Sequence, residues 1–501
     1  MVSTTLALGV TVLALGAFAA IGIWYSRGRV DSVEDFISAR DSTGEGMTTA
    51  TLVASAMGAW ILFSPAEAGA RFGGLAAILG YAVGSAVPML VYAVLGPRIR
   101  RLIPEGHTLT EYAYARYGPT MYGYVLLVSV AYMFIFLAAE MTGIAGALSL
   151  VAGVPEWQTA ALVGGFVLAY TAYGGLRASI LTDTVQTLLI LPLLAVGFGA
   201  AILSLGGTDG IYRTAVAANP DLLSLGFVPG LQFGLYVVVA ILGAELLNQA
   251  WWQRIYAARD SSTLRRSFLL TAVTVVPMVL LAGLFGVAAA GLGLVGDPGD
   301  ASIAFFLVVD EAFPGWTALA VVVLAVLLVT STADTLFNAL SSLITADLPR
   351  LLDDPDRGTL TAAARVLTAV VALAATVVGA QGYSVLAIFL TADLLASATF
   401  FPLLYGLYSE RATERGVLLA ALAGLAVGLA YFPTARPAIA ALAGLPEPSF
   451  LYAFLGAALV SSGLTVLSAR ILGGRFDLGR LGREIRRLDA PSDGDLAGGD
   501  D

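Results

Sequence analysis

Apolar residues run through the chain in long blocks, and polar residues are largely confined to the gaps between them. Windows of about 20 apolar residues, the length that crosses the hydrocarbon of a bilayer, fall near 4–26, 46–69, 73–96, 122–152, 157–174, 178–205, 228–257, 264–294, 314–345, 361–380, 384–408, 413–432 and 449–472. The pattern predicts thirteen membrane-spanning helices, hence an all-α polytopic membrane protein. The first window lacks the positive start of a signal peptide and is long enough to span, so it is read as a helix.

Two windows are interrupted. The second contains Ala54-Ser55-Ala56-Met57-Gly58-Ala59-Trp60 and then Ser64-Pro65-Ala66-Glu67, and the seventh contains Gly243-Ala244-Glu245-Leu246-Leu247-Asn248-Gln249. Glycine, proline and polar groups at membrane depth mark unwound backbone, which is stable only inside protein or beside a cavity. The two windows are five apart, so they run in opposite directions, the arrangement expected of two inverted five-helix repeats. The ninth window carries Thr330, Ser331, Thr332, Asp334 and Thr335 where a lipid-facing helix would be apolar. Hydroxyl oxygens at that depth suit a small hard cation. Back-bonding of each hydroxyl to its own helix is the alternative.

Composition narrows the chemistry. The chain is 58% hydrophobic and 12% charged, has no cysteine and has one histidine, His107. Disulfides and thiolate sites are excluded, and histidine-based triads or metal clusters nearly so. His107 sits in a loop and is assigned no role, and Tyr112, Tyr114, Tyr117 and Tyr122 read as an interfacial aromatic belt. Every basic residue is arginine and the net charge is -9. An acidic, lysine-free exterior suits a halophile's salt-rich cytoplasm, and a GC-rich genome is the other source of such a pattern. With the N-terminus outside, all arginines except Arg71, Arg213 and Arg436 fall on the inner side, as the positive-inside rule requires. The C-terminus is then cytoplasmic in the cell membrane. Residues 474–488 form a basic stretch expected on the inner leaflet, and the tail beyond is acidic and glycine-rich, hence expected to be disordered.

Four segments resemble the sodium/solute symporter family, which includes sodium/proline, pantothenate and glucose carriers. They are Ala54–Trp60, Tyr170–Arg177 with Thr182–Gln186, Gln253–Asp260, and Ser331–Asp334 with Ser341–Leu348. The similarity runs over about 5–470. It implies a leucine-transporter-like fold with a carrier domain over 1–473, inverted repeats over about 46–205 and 228–408, and a cytoplasmic tail over 474–501. It also implies a coupling sodium held by the carbonyls of Ala54, Met57 and Leu328 and the hydroxyls of Ser331 and Thr332. A second ion site or exit path would use Asp183, Asp334 and Thr335. Position 56 is alanine where proline carriers have an aspartate, which argues against proline more than against sodium.

Glu140, Glu245 and Asp393 lie deep in apolar windows, where a charge is costly and marks function unless it is protonated or paired, for instance with Arg71. A solute site of Trp60, Phe136, Glu140, Glu245, Asn248 and Asp393 would suit a small solute with N–H donors: urea, an amine or an amino acid. The segment Trp251–Arg254 is similar to fungal urea symporters, which can take polyamines. The expected function is therefore sodium-coupled import of a small organic solute by alternating access. A transporter-like sensor and a proton-coupled carrier remain the alternatives. No enzyme motif, nucleic-acid partner or organic cofactor is indicated. The expected partners are the solute, sodium and the lipid bilayer, while the sequence leaves the oligomeric state open.

Overall fold

The computed structural model describes residues 2–27, 37–297, 299–351, 366, 369–371, 373–439, 444 and 446–487. Part of the tenth window (361–365, 367–368 and 372) and the tail after residue 487 lie outside these, as do the side chains of 168–174, which overlap one family-like motif. Among the described residues, ten helices are long and apolar enough to cross a membrane. The chain order is α1 Thr4–Ser26, α2 Glu45–Ala56, α3 Ser64–Glu67, α4 Gly74–Leu102, α5 Leu109–Tyr117, α6 Pro119–Ala152, α7 Glu156–Ser204 and α8 Gly207–Ala218. It continues α9 Val228–Leu246, α10 Gln249–Ala257, α11 Ser261–Gly291, α12 Ala304–Ala312, α13 Ala318–Leu351, α14 Val385–Tyr405, α15 Glu414–Tyr431 and α16 Phe450–Ile471.

The thirteen-window pattern explains the departures from ten. Helix α7 is 49 residues long, about 74 Å at 1.5 Å per residue, more than twice the hydrocarbon thickness. Gly175, at φ 57° and ψ -158°, breaks its helical path. The left-handed φ there favours glycine, and the break divides α7 into the fifth and sixth windows. The second and seventh windows are broken as expected. Helix α2 ends at Ala56, and Met57 and Gly58 leave helical geometry. The chain resumes through a 3₁₀ turn at Ala59–Leu62 and then α3, with Pro65 in its first turn. In the seventh window α9 stops at Leu246, and the Asn248 side chain accepts from the Ala250 N–H to start α10.

Small residues set the helix spacing. Helix α4 lies between α9 and α11. A Cβ on Gly80 would fall 2.1 Å from the Cα of Gly234, and one on Gly286 would fall 1.9 Å from the Ala66 carbonyl. Without a hydrophobic drive between helices in lipid, such close backbone approach supplies the packing energy.

The loops expected to share the arginine-rich side meet at one end of the molecule. Arg100 donates to the carbonyls of Ile255 and Ala258 at 2.8 and 2.5 Å, and Arg40 to those of Pro104 and Gly106 at 2.9 Å each. Arg98 reaches the Leu407 carbonyl, and Arg116 those of Gly406 and Ser409. Three local expectations change here. Tyr112 and Tyr117 are buried, with their hydroxyls on the Leu403 carbonyl at 3.0 and 2.9 Å, and Tyr122 is buried too. Of the supposed belt only Tyr114 is exposed. His107 is buried, with Nδ1 3.1 Å from Glu111 and its carbonyl accepting from Gln249 at 3.0 Å. The basic stretch turns part of its surface onto the protein: Leu481 and Ile485 are buried, and the Arg116 guanidinium lies 4.3 Å over the Phe476 ring.

Candidate functional site

The broken segment of α2 lies against α13. On α2, Thr51 and Ser55 are one turn apart, as Ser331 and Thr335 are on α13, so each pair shares a helix face. The Ser55 and Thr335 hydroxyls are 3.1 Å apart. Asp183 of α7 joins the two helices one turn away: Oδ2 accepts from Thr51 and Oδ1 from Ser331, both at 2.6 Å. Ala54, Met57, Leu328, Ser331 and Thr332 are all buried. Two of the five expected sodium ligands thus flank this face on the α2 side and three lie on the α13 side.

The hydroxyls do not all do the same thing. Thr330 and Thr332 both bond back to carbonyls four residues earlier, those of Val326 and Leu328. Thr332 donates to the Leu328 carbonyl at 3.3 Å, and Ser331 donates to Asp183. A hydroxyl that gives its proton away keeps its lone pairs, so both oxygens are still free to bind a cation. The donor set is all oxygen, which fits sodium.

The expected second ion group divides. Asp183 and Thr335 share one partner that the sequence did not single out, the guanidinium of Arg254 on α10. Its NH2 lies 3.2 Å from Asp183 Oδ2, 2.7 Å from Thr335 and 3.1 Å from Ser55. Both members of this ion pair are wholly buried. Asp334 faces away from it and accepts from Ser179 and Thr182, at 2.5 and 3.2 Å. Arg254 was visible in its motif, but its pairing with a residue 71 positions away left no local trace.

A cavity lies against the same broken segment, with Ala56 and Trp60 in its wall. Of the residues singled out in the sequence, Trp60, Phe136, Glu245 and Asp393 line it. Tyr81, Tyr132, Trp251 and Phe389 complete an aromatic wall that the sequence did not mark. Trp60 stacks on Tyr81 at 5.7 Å between ring centroids, and Phe136 meets Phe389 edge-on at 5.0 Å. Glu245 Oε2 is held by the Trp251 indole N–H at 2.5 Å and by Asn248 at 3.2 Å. Asn248 therefore caps α10 and positions Glu245 rather than lining the cavity. Glu140 is also off the wall: its Oε2 accepts the Ala59 N–H at 2.7 Å, and Oε1 lies where a Cβ on Gly58 would fall. It clamps the unwound stretch of α2. Arg71 pairs with Glu67, at 3.8 Å, and with none of the three deep acids. Glu67 also accepts from Ser384 at 2.9 Å.

Comparison with known proteins agrees with this architecture. A model of the sodium:solute symporter family matches residues 36–424. The spermidine transporter of Candida albicans is 30% identical over 348 residues, 68% of this chain and 62% of that protein. The urea-proton symporter of Oryza sativa subsp. japonica is 25% identical, with 84% of this chain and 64% of the relative aligned. This chain thus spans less than two thirds of either. The sodium/glucose cotransporter of Vibrio parahaemolyticus is 25% identical, with 83% of each chain aligned. Among solved structures, a Na⁺-coupled sialic acid symporter in a substrate-bound outward-open state superposes with a TM-score of 0.74 at 16% identity, covering 94% of this chain and 99% of that one. The fold is the leucine-transporter-like arrangement, and these relatives are transporters rather than enzymes.

Proposed function

We propose that this chain, which belongs to the sodium:solute symporter family, is a secondary active symporter that imports a small organic solute with sodium by alternating access. The observation that carries this reading is the meeting of the α2 break with the hydroxyl face of α13. Ala54, Met57 and Leu328 would supply carbonyls, and Ser331 and Thr332 hydroxyl oxygens, with the Ser331 proton on Asp183 and the Thr332 proton on the Leu328 carbonyl. Sodium bound there would draw α2 and α13 together, and the same α2 break carries Trp60 into the solute cavity. Ion binding and solute binding would therefore share one moving segment.

The Asp183–Arg254 pair ties α7 and α10 to α2 and α13 at the arginine-rich end. In this reading that end is cytoplasmic, the N-terminus is outside, and the network must part before cargo leaves inward. The carrier would occupy 1–473 with repeats over about 46–205 and 228–408. Each inward Na⁺ carries about 2.3 kcal/mol per 100 mV of membrane potential.

A second reading is favoured by one feature. Asp183 already has Arg254 as its partner, which speaks against a second sodium there, and protons are the alternative coupling ion. The rice relative is a urea-proton symporter. Uptake into proteoliposomes separates the two. An imposed sodium gradient at equal pH should drive accumulation, whereas accumulation driven only by a pH gradient would replace sodium with protons. The relatives' printed solutes, spermidine, urea and glucose, cover cationic and neutral compounds and do not by themselves choose among them.

A further inference from the structure

We infer that the corner where α15 begins and α16 ends binds the phosphate headgroup of an anionic phospholipid. The orientation proposed above places it in the inner leaflet, and the site itself follows from the residues gathered there.

Four arginines meet at this corner. Arg411 and Arg415 flank the first residue of α15, Glu414, and Arg470 and Arg475 flank the last of α16, Ile471. The two stretches are packed together. The Phe476 N–H donates to the Glu410 carbonyl at 2.9 Å, and a Cβ on Gly473 would lie 3.0 Å from that of Arg411. A Cβ on Gly416 would lie 2.6 Å from the Ser468 hydroxyl. All four arginines are exposed, and none forms an ion pair among the described residues. Their neighbours are engaged. Arg98 and Arg116 donate to the carbonyls of Leu407, Gly406 and Ser409, Arg480 pairs with Glu484, and Arg483 with Asp477. Glu414 accepts from the N–H groups of Thr120 and Met121 at 2.7 and 3.1 Å. Glu410 is the adjoining acid left without an ion partner, so the corner keeps an excess of positive charge that the fold does not neutralise.

The surface one turn deeper is apolar. Leu419 follows Arg415 by four residues and Leu467 precedes Arg470 by three, so each arginine shares a helix face with a leucine. Both leucines are exposed, as are Ile471 and Leu472 at the end of α16. Nothing fits between the two helices: a Cβ on Gly424 would fall 2.5 Å from the Ala457 carbonyl. Hydrocarbon must therefore lie along the outside of the pair. Charge at the helix ends with exposed leucines below matches a phospholipid, phosphate above and acyl chain beneath. A guanidinium fork bonds phosphate oxygens two at a time, and each arginine beside an anionic membrane surface strengthens binding about fivefold. A soluble anion would meet the arginines and leave the leucines bare.

The test uses the full chain in a neutral detergent, titrated in turn with dioleoylphosphatidylglycerol, dioleoylphosphatidylcholine and inorganic phosphate, with binding read by native mass spectrometry. Phosphatidylglycerol should bind saturably, and the zwitterionic phosphatidylcholine and inorganic phosphate should not. This comparison needs no variant and guards against misfolding. Arg411→Gln combined with Arg470→Gln should weaken phosphatidylglycerol about 25-fold, two factors of about five. Arg265→Gln is the control: Arg265 is exposed at the start of α11, which packs on α4 and α2 rather than on α15 or α16, and its loss should leave binding unchanged. Equal weakening by Arg265→Gln and by either corner substitution alone would mean diffuse attraction to a charged surface and overturn the site. Inorganic phosphate binding as tightly as the lipid would overturn the lipid as its occupant. The readout needs neither sodium nor uptake, so its failure leaves the carrier reading standing, and absence of uptake leaves the lipid site standing.

Discussion

At the scale of single residues, two hydroxyls and one ion pair carry most of the argument. Ser331 and Thr332 are read as sodium ligands by the family resemblance, and of the two only the Ser331 hydroxyl bonds outside its own helix, to Asp183. Ser331→Ala and Thr332→Ala should each raise the sodium needed for half-maximal uptake severalfold. Thr330, which makes the same bond back to its own helix as Thr332 but is not among the proposed ligands, is the control, and Thr330→Ala should leave that concentration unchanged. Sodium titrations that coincide for all three variants and wild type would move the ion elsewhere. The Asp183–Arg254 pair is wholly buried, and removing one partner of such a pair costs about 3–5 kcal/mol because the other charge is stranded. Arg254→Gln should therefore lower the midpoint of thermal unfolding in detergent. Adding Asp183→Asn to it should recover part of the loss. A double variant less stable than either single variant would mean that the charges are not each other's partners.

At the scale of elements, the breaks matter more than the helices. The unwound stretch of α2 is held by the Glu140 carboxylate on the Ala59 N–H. Glu140→Gln keeps a carbonyl oxygen that can accept this bond, and Glu140→Ala removes it. Sodium-driven uptake should thus survive the first change far better than the second, and equal loss would show that the charge itself is needed. Close helix approach is the second element-scale device. Gly80→Val would drive a side chain into the backbone of Gly234, while Gly123 has open space around its Cβ position. Overpacking costs about 1–3 kcal/mol. Gly80→Val should therefore unfold at lower temperature than wild type, and Gly123→Ala should not. Equal melting curves for the two would contradict the α4–α9 contact.

At the scale of the whole molecule, the arginine distribution becomes an orientation. The chain has no cysteine, so single cysteines report their own accessibility. Arg213 and Arg415 are both exposed, and the arginine pattern puts them on opposite sides. In right-side-out vesicles an impermeant maleimide should label the Arg213→Cys variant directly, and the Arg415→Cys variant only after permeabilisation. The reverse pattern would invert the topology. The meeting of Arg40, Arg98, Arg100 and Arg116 at one end, each on carbonyls of neighbouring loops, already follows the partition that hydropathy and charge predict.

The apolar spans, the two breaks and the family are legible along the chain, because these are properties of contiguous residues. Apolar length, glycine and proline at membrane depth, and motifs are all local. Of the residues that line the cavity, Trp60, Phe136, Glu245 and Asp393 stand out in the chain itself, since an acid or a large aromatic is conspicuous within an apolar window. Side-chain partners, by contrast, came from the folding of the helices against one another. It took Arg254 to Asp183, gave Glu140 to the backbone of α2 and Asn248 to a helix cap, and turned Tyr112, Tyr117 and His107 inward. It also assembled the aromatic wall from helices far apart in the chain. Those outcomes depend on which helix faces meet, and the periodicity of a single helix carries no information about the face it will find.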